Sequence, residues 1–193
     1  MTSLPLAREA AAAPCEDDAA LVQAARRDVA AFAALYHRYV GAVYRYLYSR
    51  MGSVAEAEDL TAQVFTEALQ GLGGYRERQR FAAWLFAIAR RKAADHHRRR
   101  RPELPLDERL HSARKESDPL AQVLRAEALE RLAGLVAGLD EAQQELLRLR
   151  FAASLSYGEI GVLVGKSEAA AKMAVHRLLH RLQQGWEDCD GSA

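Results

Sequence analysis

The sequence predicts an all-α protein: two small helical domains joined by a flexible linker. Apolar residues recur at three- and four-residue intervals from Asp17 onward, the period of helices that bury one face. No segment sustains the alternation of a half-buried strand. A polar stretch punctuated by Pro102, Pro105 and Pro119 interrupts the helical pattern, as a linker does. The organisation that follows is a tail over 1–16, a first domain over 17–101, a linker over 102–119, a second domain over 120–184 and a short polar tail over 185–193.

Asp17 and Asp18 are placed to cap a short helix through Leu21, Val22 and Ala25. A long helix follows, with Phe32, Leu35, Tyr36, Tyr39, Val40, Val43, Tyr44 and Leu47 on its apolar side. Gly52 ends it. Ser53 with Glu56 fits a capping box, in which hydroxyl and carboxylate each satisfy a free amide. The helix so opened should bury Leu60, Val64, Phe65, Ala68 and Leu69, and stop near Gly71, Gly73 and Gly74. After a loop over 75–80, another helix runs from Phe81 towards Arg101. Beyond the linker, Leu120 to Val136 is helical. Asp140 with Gln143 and Ser156 with Glu159 open two further helices, and a last one runs from Glu168 to about Gln184.

Positive charge is concentrated in one place. The whole chain carries a formal net charge of +1. Yet Arg76, Arg78, Arg80, Arg90, Arg91, Lys92, Arg98, Arg99, Arg100 and Arg101 face only Glu77 and Asp95 over the same stretch. A basic helix beside Phe81, Trp84 and Phe86 is what a polyanion with exposed bases would meet; the bland alternative is a solvated basic face. Trp84 shares its spacing with Phe81, Leu85 and Ile88, which assigns it to the core. Acidic residues gather earlier, at Asp17, Asp18, Asp28, Glu56, Glu58, Asp59 and Glu67. Such a dipolar layout points to different partners on two surfaces.

Several classes are excluded. Cys15 and Cys189 have no CxxC or Cys-His spacing, so neither a zinc site nor a disulfide framework is indicated. The first 14 residues lack the basic flank and apolar core of a signal peptide. No run approaches the ~18 apolar residues of a membrane span. The expected location is the cytoplasm, with no membrane insertion, no metal and no cofactor. Asp95, His96 and His97 are the one foothold for an enzyme. Adjacent helical residues fan apart by about 100° each, so they do not converge on one ion.

Two helices joined by the glycine-containing turn Gly165-Lys166-Ser167 form a helix-turn-helix pattern. Its second helix carries an apolar stripe, Ala171, Val175, Leu178 and Leu182, to pack on Ile160 and Leu163. Its opposite face holds Ala169, Met173, His176, Arg177 and His180, with Lys172 and Arg181 at the edges. That combination suits entry into a DNA major groove. His176 and His180 lack the acidic or thiol neighbour that would complete a metal site.

At this point three segments become recognisable. Ala57-Glu58-Asp59-Leu60-Thr61-Ala62-Gln63-Val64-Phe65 resembles the "AEDLTQEVF" segment of bacterial sigma factors of the extracytoplasmic-function group. Phe81 to Arg90, with Asp95-His96 and the following arginines, resembles "F..WLY.IAR....D..RR". Leu155 to Gly161, then Gly165 to Glu168 and Lys172, is similar to "LSYEEIA…G.SEGTVK". The order agrees from about Asp17 to Gln184. The resemblance implies that Asp59, Gln63 and Glu67 dock on the clamp helices of core RNA polymerase. It implies that Arg76, Arg78 and Arg80 border a flipped base of the minus-ten element, and that Arg90, Arg91, Lys92 and Arg98 hold phosphates of the opened strand. Lys172, Met173, His176, Arg177 and Arg181 would then read the minus-thirty-five element. An anti-sigma protein clamped between the domains is a further partner of the group. Departures from the pattern are Ala62-Gln63 for Gln-Glu, Arg91 for Asn, Ala170-Ala171 for Thr-Val and Met173-Ala174 for Ser-Arg. The competing reading is a helix-turn-helix regulator that does not dock on polymerase, which would leave the surfaces of the first domain without purpose.

Overall fold

The computed structural model describes residues 16–76, 80–99 and 119–190, and among them the chain forms eight α-helices and no strand. The first domain comprises α1 (Glu16–Arg27), α2 (Phe32–Met51), α3 (Val54–Gly71) and α4 (Phe81–Arg99). α2 is its axis and packs on the other three. Phe32, Leu35, Val43, Tyr46, Leu47 and Met51 of α2 are buried. Leu60, Val64, Phe65 and Ala68 of α3 are buried with them, and the Phe32 and Phe65 rings meet edge to face at 6.4 Å. Leu69, expected inside, is exposed in the last turn of α3.

The boundaries have local causes. Gly52 takes the left-handed conformation (φ 71°) that ends α2. Ser53 Oγ accepts from the Glu56 amide at 3.4 Å, while the Glu56 carboxylate lies 3.3 Å from His96 Nε2. Asp18 differs from its expected capping role. α1 already begins at Glu16, and Asp18 is buried, 2.6 Å from Arg38 and bonded by the Tyr39 hydroxyl. As the third residue of α1, it turns its carboxylate to the Arg38 and Tyr39 side chains of α2.

The second domain comprises α5 (Pro119–Ala137), α6 (Glu141–Leu147), α7 (Tyr157–Val164) and α8 (Glu168–Asp190). The capping boxes of Asp140 with Gln143 and of Ser156 with Glu159 are both complete. Between α6 and α7 the backbone widens into one π-helical turn over Arg148–Ala152. α8 runs on to Asp190, past the polar tail expected from 185. The Arg131 guanidinium of α5 lies 4.6 Å from the Trp186 ring centroid and donates to the Trp186 carbonyl, which gives that last stretch a partner.

The two domains pack against each other through α2 on the π-helical turn and α4 on α7. Leu146, Leu149, Ala153 and Leu155 of the second domain join one continuous buried cluster with Tyr46, Leu47 and Phe86 of the first. Residues 102–118 of the expected linker, and Arg100 and Arg101, lie outside the described residues.

Candidate nucleic-acid interface

α7, its turn and α8 place the helix-turn-helix face. Gly165 (φ 67°) ends α7 in the left-handed region, and the Lys166 amide returns to the Gly161 carbonyl at 2.8 Å. A Cβ at Gly161 would lie 2.6 Å from the Lys166 carbonyl oxygen, so the turn folds closely only over glycine. Ala171, Val175 and Leu178 are buried, as is Ile160 beneath them. Lys172, Met173, His176, Arg177, His180 and Arg181 are exposed on the other side. The thioether of Met173 is held out with the cations, and the residue is 53% exposed. Arg181 is engaged within the domain, donating to Gln143 Oε1 at 2.8 Å. The outer face is therefore cationic with one apolar contact point, suited to phosphates and a thymine methyl.

The basic residues of the first domain divide into several groups. Arg76 is exposed at the start of the loop before α4. Arg78 lies in 77–79, outside the described residues. Arg80 is exposed and donates to Ser156 Oγ at 3.3 Å. Arg91 and Lys92 both pair with Glu67, the lysine at 3.1 Å. Arg98 pairs with Asp95 one turn back and keeps its side chain 78% exposed. Arg90 turns towards the second domain, with Nε 2.9 Å from Glu145 and Nη1 donating to the Leu163 carbonyl at 2.7 Å.

Trp84 is half-buried, its ring 5.1 Å from Tyr75 and 5.6 Å from Phe81. It belongs to the packing of the loop rather than to a free stacking platform. Arg26 of α1 fixes the same loop from below: it donates to the Leu72 carbonyl at 3.1 Å and to the Tyr75 carbonyl. Sequence reasoning missed Arg26, because its partners lie 46 and 49 residues away.

Along α3, Asp59, Gln63 and Glu67 form one row at four-residue spacing. Asp59 and Gln63 are exposed, but Glu67 is half-buried by its pairing with Arg91 and Lys92. The proposed docking row and the basic helix therefore touch at Glu67.

Sequence reasoning also missed a buried ionic cluster where the domains meet. Glu145 of α6 is 6% exposed. It accepts from the Tyr46 hydroxyl at 2.8 Å and from Arg50 Nη1 at 3.0 Å, and Arg90 Nε stands 2.9 Å away. Burial, then the charge of Glu145, pushes the Tyr46 hydroxyl well above the ordinary tyrosine range, against the opposing pull of Arg50. Burial by itself would lower Arg50, but its bond to Tyr46 and the charges of Tyr46, Glu145 and Glu141 raise it. The signal was a misplaced charge: Glu145 is buried beside Leu146 of α6 and one turn from Leu149 of the π-helical turn, and Arg50 lies four residues from Tyr46 and three from Leu47.

Asp95 pairs with Arg98, and His96 lies beside Glu56. Among the described residues no three or more His, Cys, Asp and Glu side chains gather as a metal site would require. No described helix is long and apolar enough to cross a membrane.

Comparison with known proteins places the chain in a family. The family model for Sigma-70 region 2 matches residues 35–103, and that for Sigma-70, region 4 matches residues 135–184. The chain is 39% identical over 155 residues to the ECF RNA polymerase sigma factor BldN of Streptomyces coelicolor, which covers 79% of this chain and 59% of BldN. It therefore matches less than two thirds of BldN's length. It is 34% identical over 151 residues to the ECF RNA polymerase sigma factor SigD of Mycobacterium tuberculosis, covering 73% of this chain and 70% of SigD. Among solved structures, CnrH in complex with the cytosolic domain of CnrY is similar in fold, with a TM-score of 0.63 and 24% identity over 89% of this chain and 97% of that one.

Proposed function

Because the chain belongs to the extracytoplasmic-function RNA polymerase sigma factors, we propose that it binds core RNA polymerase in the cytoplasm, directs it to specific promoters and opens the duplex. In this reading it makes no covalent bonds itself and needs no cofactor. Asp59 and Gln63, with Glu67 beside them, dock on the polymerase. Arg76, Arg78, Arg80, Arg90, Arg91, Lys92 and Arg98 serve the minus-ten element. The loop borders an extruded base, and the helix holds backbone phosphates that offset the few kcal/mol of unstacking. Lys172, Met173, His176, Arg177 and Arg181 read the minus-thirty-five element. CnrH was solved in complex with the cytosolic domain of CnrY, and an anti-sigma protein partner for this chain is part of the proposal.

The observation that carries this reading is the outward face of α8. Lys172, Met173, His176 and Arg177 are exposed while Ala171, Val175 and Leu178 are buried directly behind them. The test is runoff transcription with purified core polymerase. Transcripts with a common upstream sequence should start only when this chain is added, and Asp59→Ala should reduce core binding while leaving the helical signal intact. DNA binding at a defined site with no affinity for core polymerase would instead make the chain a free-standing helix-turn-helix regulator.

A further inference from the structure

One of the arginines proposed to hold promoter phosphates, Arg90, is already engaged in this structure. Arg90 is pinned from both sides by the second domain, at the Glu145 carboxylate (2.9 Å) and the Leu163 carbonyl (2.7 Å). Arg80 is similarly tied to Ser156 Oγ at 3.3 Å. Gly158 permits that approach, because a Cβ there would overlap the Arg80 guanidinium. Arg45 adds a bond from α2 to the Ala152 carbonyl at 3.2 Å, at the end of the π-helical turn.

We propose that Glu145 is an internal stand-in for a DNA phosphate: its carboxylate occupies Arg90 in the closed chain and must withdraw before α4 can engage the opened strand. The proposal rests on the functional reading of α4 given above. The Tyr46 hydroxyl and Arg50 Nη1 donate to this one anion, the Arg90 guanidinium forms an ion pair with it at 2.9 Å, and Arg148 of its own domain stands 4.0 Å away. A phosphate oxygen accepts the same charge-assisted bonds as a carboxylate, so the two anions compete for Arg90. Arg50 and Tyr46 stay behind Arg90 and hold Glu145 without belonging to the proposed DNA face. Closure therefore costs the chain affinity for DNA in proportion to how rarely it is open. Polymerase or promoter binding would draw the domains apart by taking the open form.

Two full-length variants test this, each with two readouts. Glu145→Gln removes the anion, and Arg50→Met loosens its seat from the first domain without touching a proposed DNA contact. The first readout is the distance between fluorescent probes on α3 and α8, with neither DNA nor polymerase present. The second is affinity for single-stranded DNA carrying the non-template minus-ten sequence identified by runoff. Both variants should lengthen the inter-domain distance and tighten DNA binding by up to about tenfold. If either readout is unchanged in both variants, the stand-in role of Glu145 is overturned. The distance readout needs no DNA or polymerase, so it reports on the latch even if wild-type runoff transcription fails and sinks the functional reading.

Discussion

Lys92 Nζ stands 3.1 Å from Glu67 Oε2, which joins the basic helix α4 to the end of the Asp59, Gln63 and Glu67 row on α3. Arg91 reaches the same carboxylate. One anion on α3 therefore restrains two cations on α4. Glu67→Gln should release both. Binding to single-stranded DNA should strengthen, and its dependence on salt should steepen by about 0.7 in the log–log slope for each extra phosphate contact. The same change should weaken core polymerase binding if Glu67 docks there. Fluorescence anisotropy across a salt series reads the first effect, and an unchanged slope would show that Arg91 and Lys92 do not contact phosphate.

Arg177 and Lys172 both lie exposed on α8, yet different losses are expected from them. An arginine that forks onto a guanine edge contributes to discrimination, so Arg177→Ala should weaken minus-thirty-five binding by about 1–3 kcal/mol and relax preference at one position. A lysine on phosphate carries no sequence information, so Lys172→Gln should weaken all sequences alike and flatten the salt slope by about one. Gel shifts on the natural and scrambled elements at matched salt separate the two. Equal loss on both elements for Arg177→Ala would remove its reading role.

What the sequence disclosed, and what it hid, follows from distance along the chain. The capping boxes of α6 and α7 were legible because each needs only two residues three apart. The buried stripe Ala171, Val175 and Leu178 was legible from helical period alone. The Tyr46–Glu145 bond spans 99 residues and the Arg50–Glu145 pair 95, and no periodic pattern encodes such pairings. A carboxylate on an apolar stripe signals that some cation must meet it, but not which one. The exit of α8 was misjudged for the same reason, since the partner of Trp186 is Arg131, 55 residues earlier. The candidate contact residues on α8 were readable as a face; the engagement of Arg90 and Arg80 by the second domain was not.

Tyr46 gives the closed form a dependence on alkaline pH. Burial and the charge of Glu145 raise its folded value above the ordinary 10.0, so the unfolded chain loses this proton first. The stabilisation is full below 10.0 and declines as pH rises beyond it towards the folded value. The decline approaches about 1.4 kcal/mol per pH unit for one such group. Urea denaturation at about pH 9 and about pH 11 should therefore show a steeper fall for the natural chain than for Tyr46→Phe. Parallel falls in the two proteins would mean that Tyr46 does not carry the effect.

Two glycines of the second domain should respond to alanine with opposite signs. At Gly161 a Cβ would sit 2.6 Å from the Lys166 carbonyl oxygen and 3.3 Å from the Glu168 amide nitrogen. Both are backbone atoms at the turn, so relief requires α7 and α8 to separate. Overpacking of this kind costs about 1–3 kcal/mol. Because α8 carries the outward cationic face, Gly161→Ala should also weaken minus-thirty-five binding with all its contact residues intact. At Gly134, within α5, a Cβ would meet nothing within 4 Å. There alanine removes only the conformational freedom of glycine in the unfolded chain, and Gly134→Ala should stabilise by about 0.5–1 kcal/mol. Thermal melts of the full chain should thus move down for Gly161→Ala and up for Gly134→Ala. A Gly161→Ala protein with unaltered melting and unaltered DNA affinity would show that the turn has room the geometry denies it.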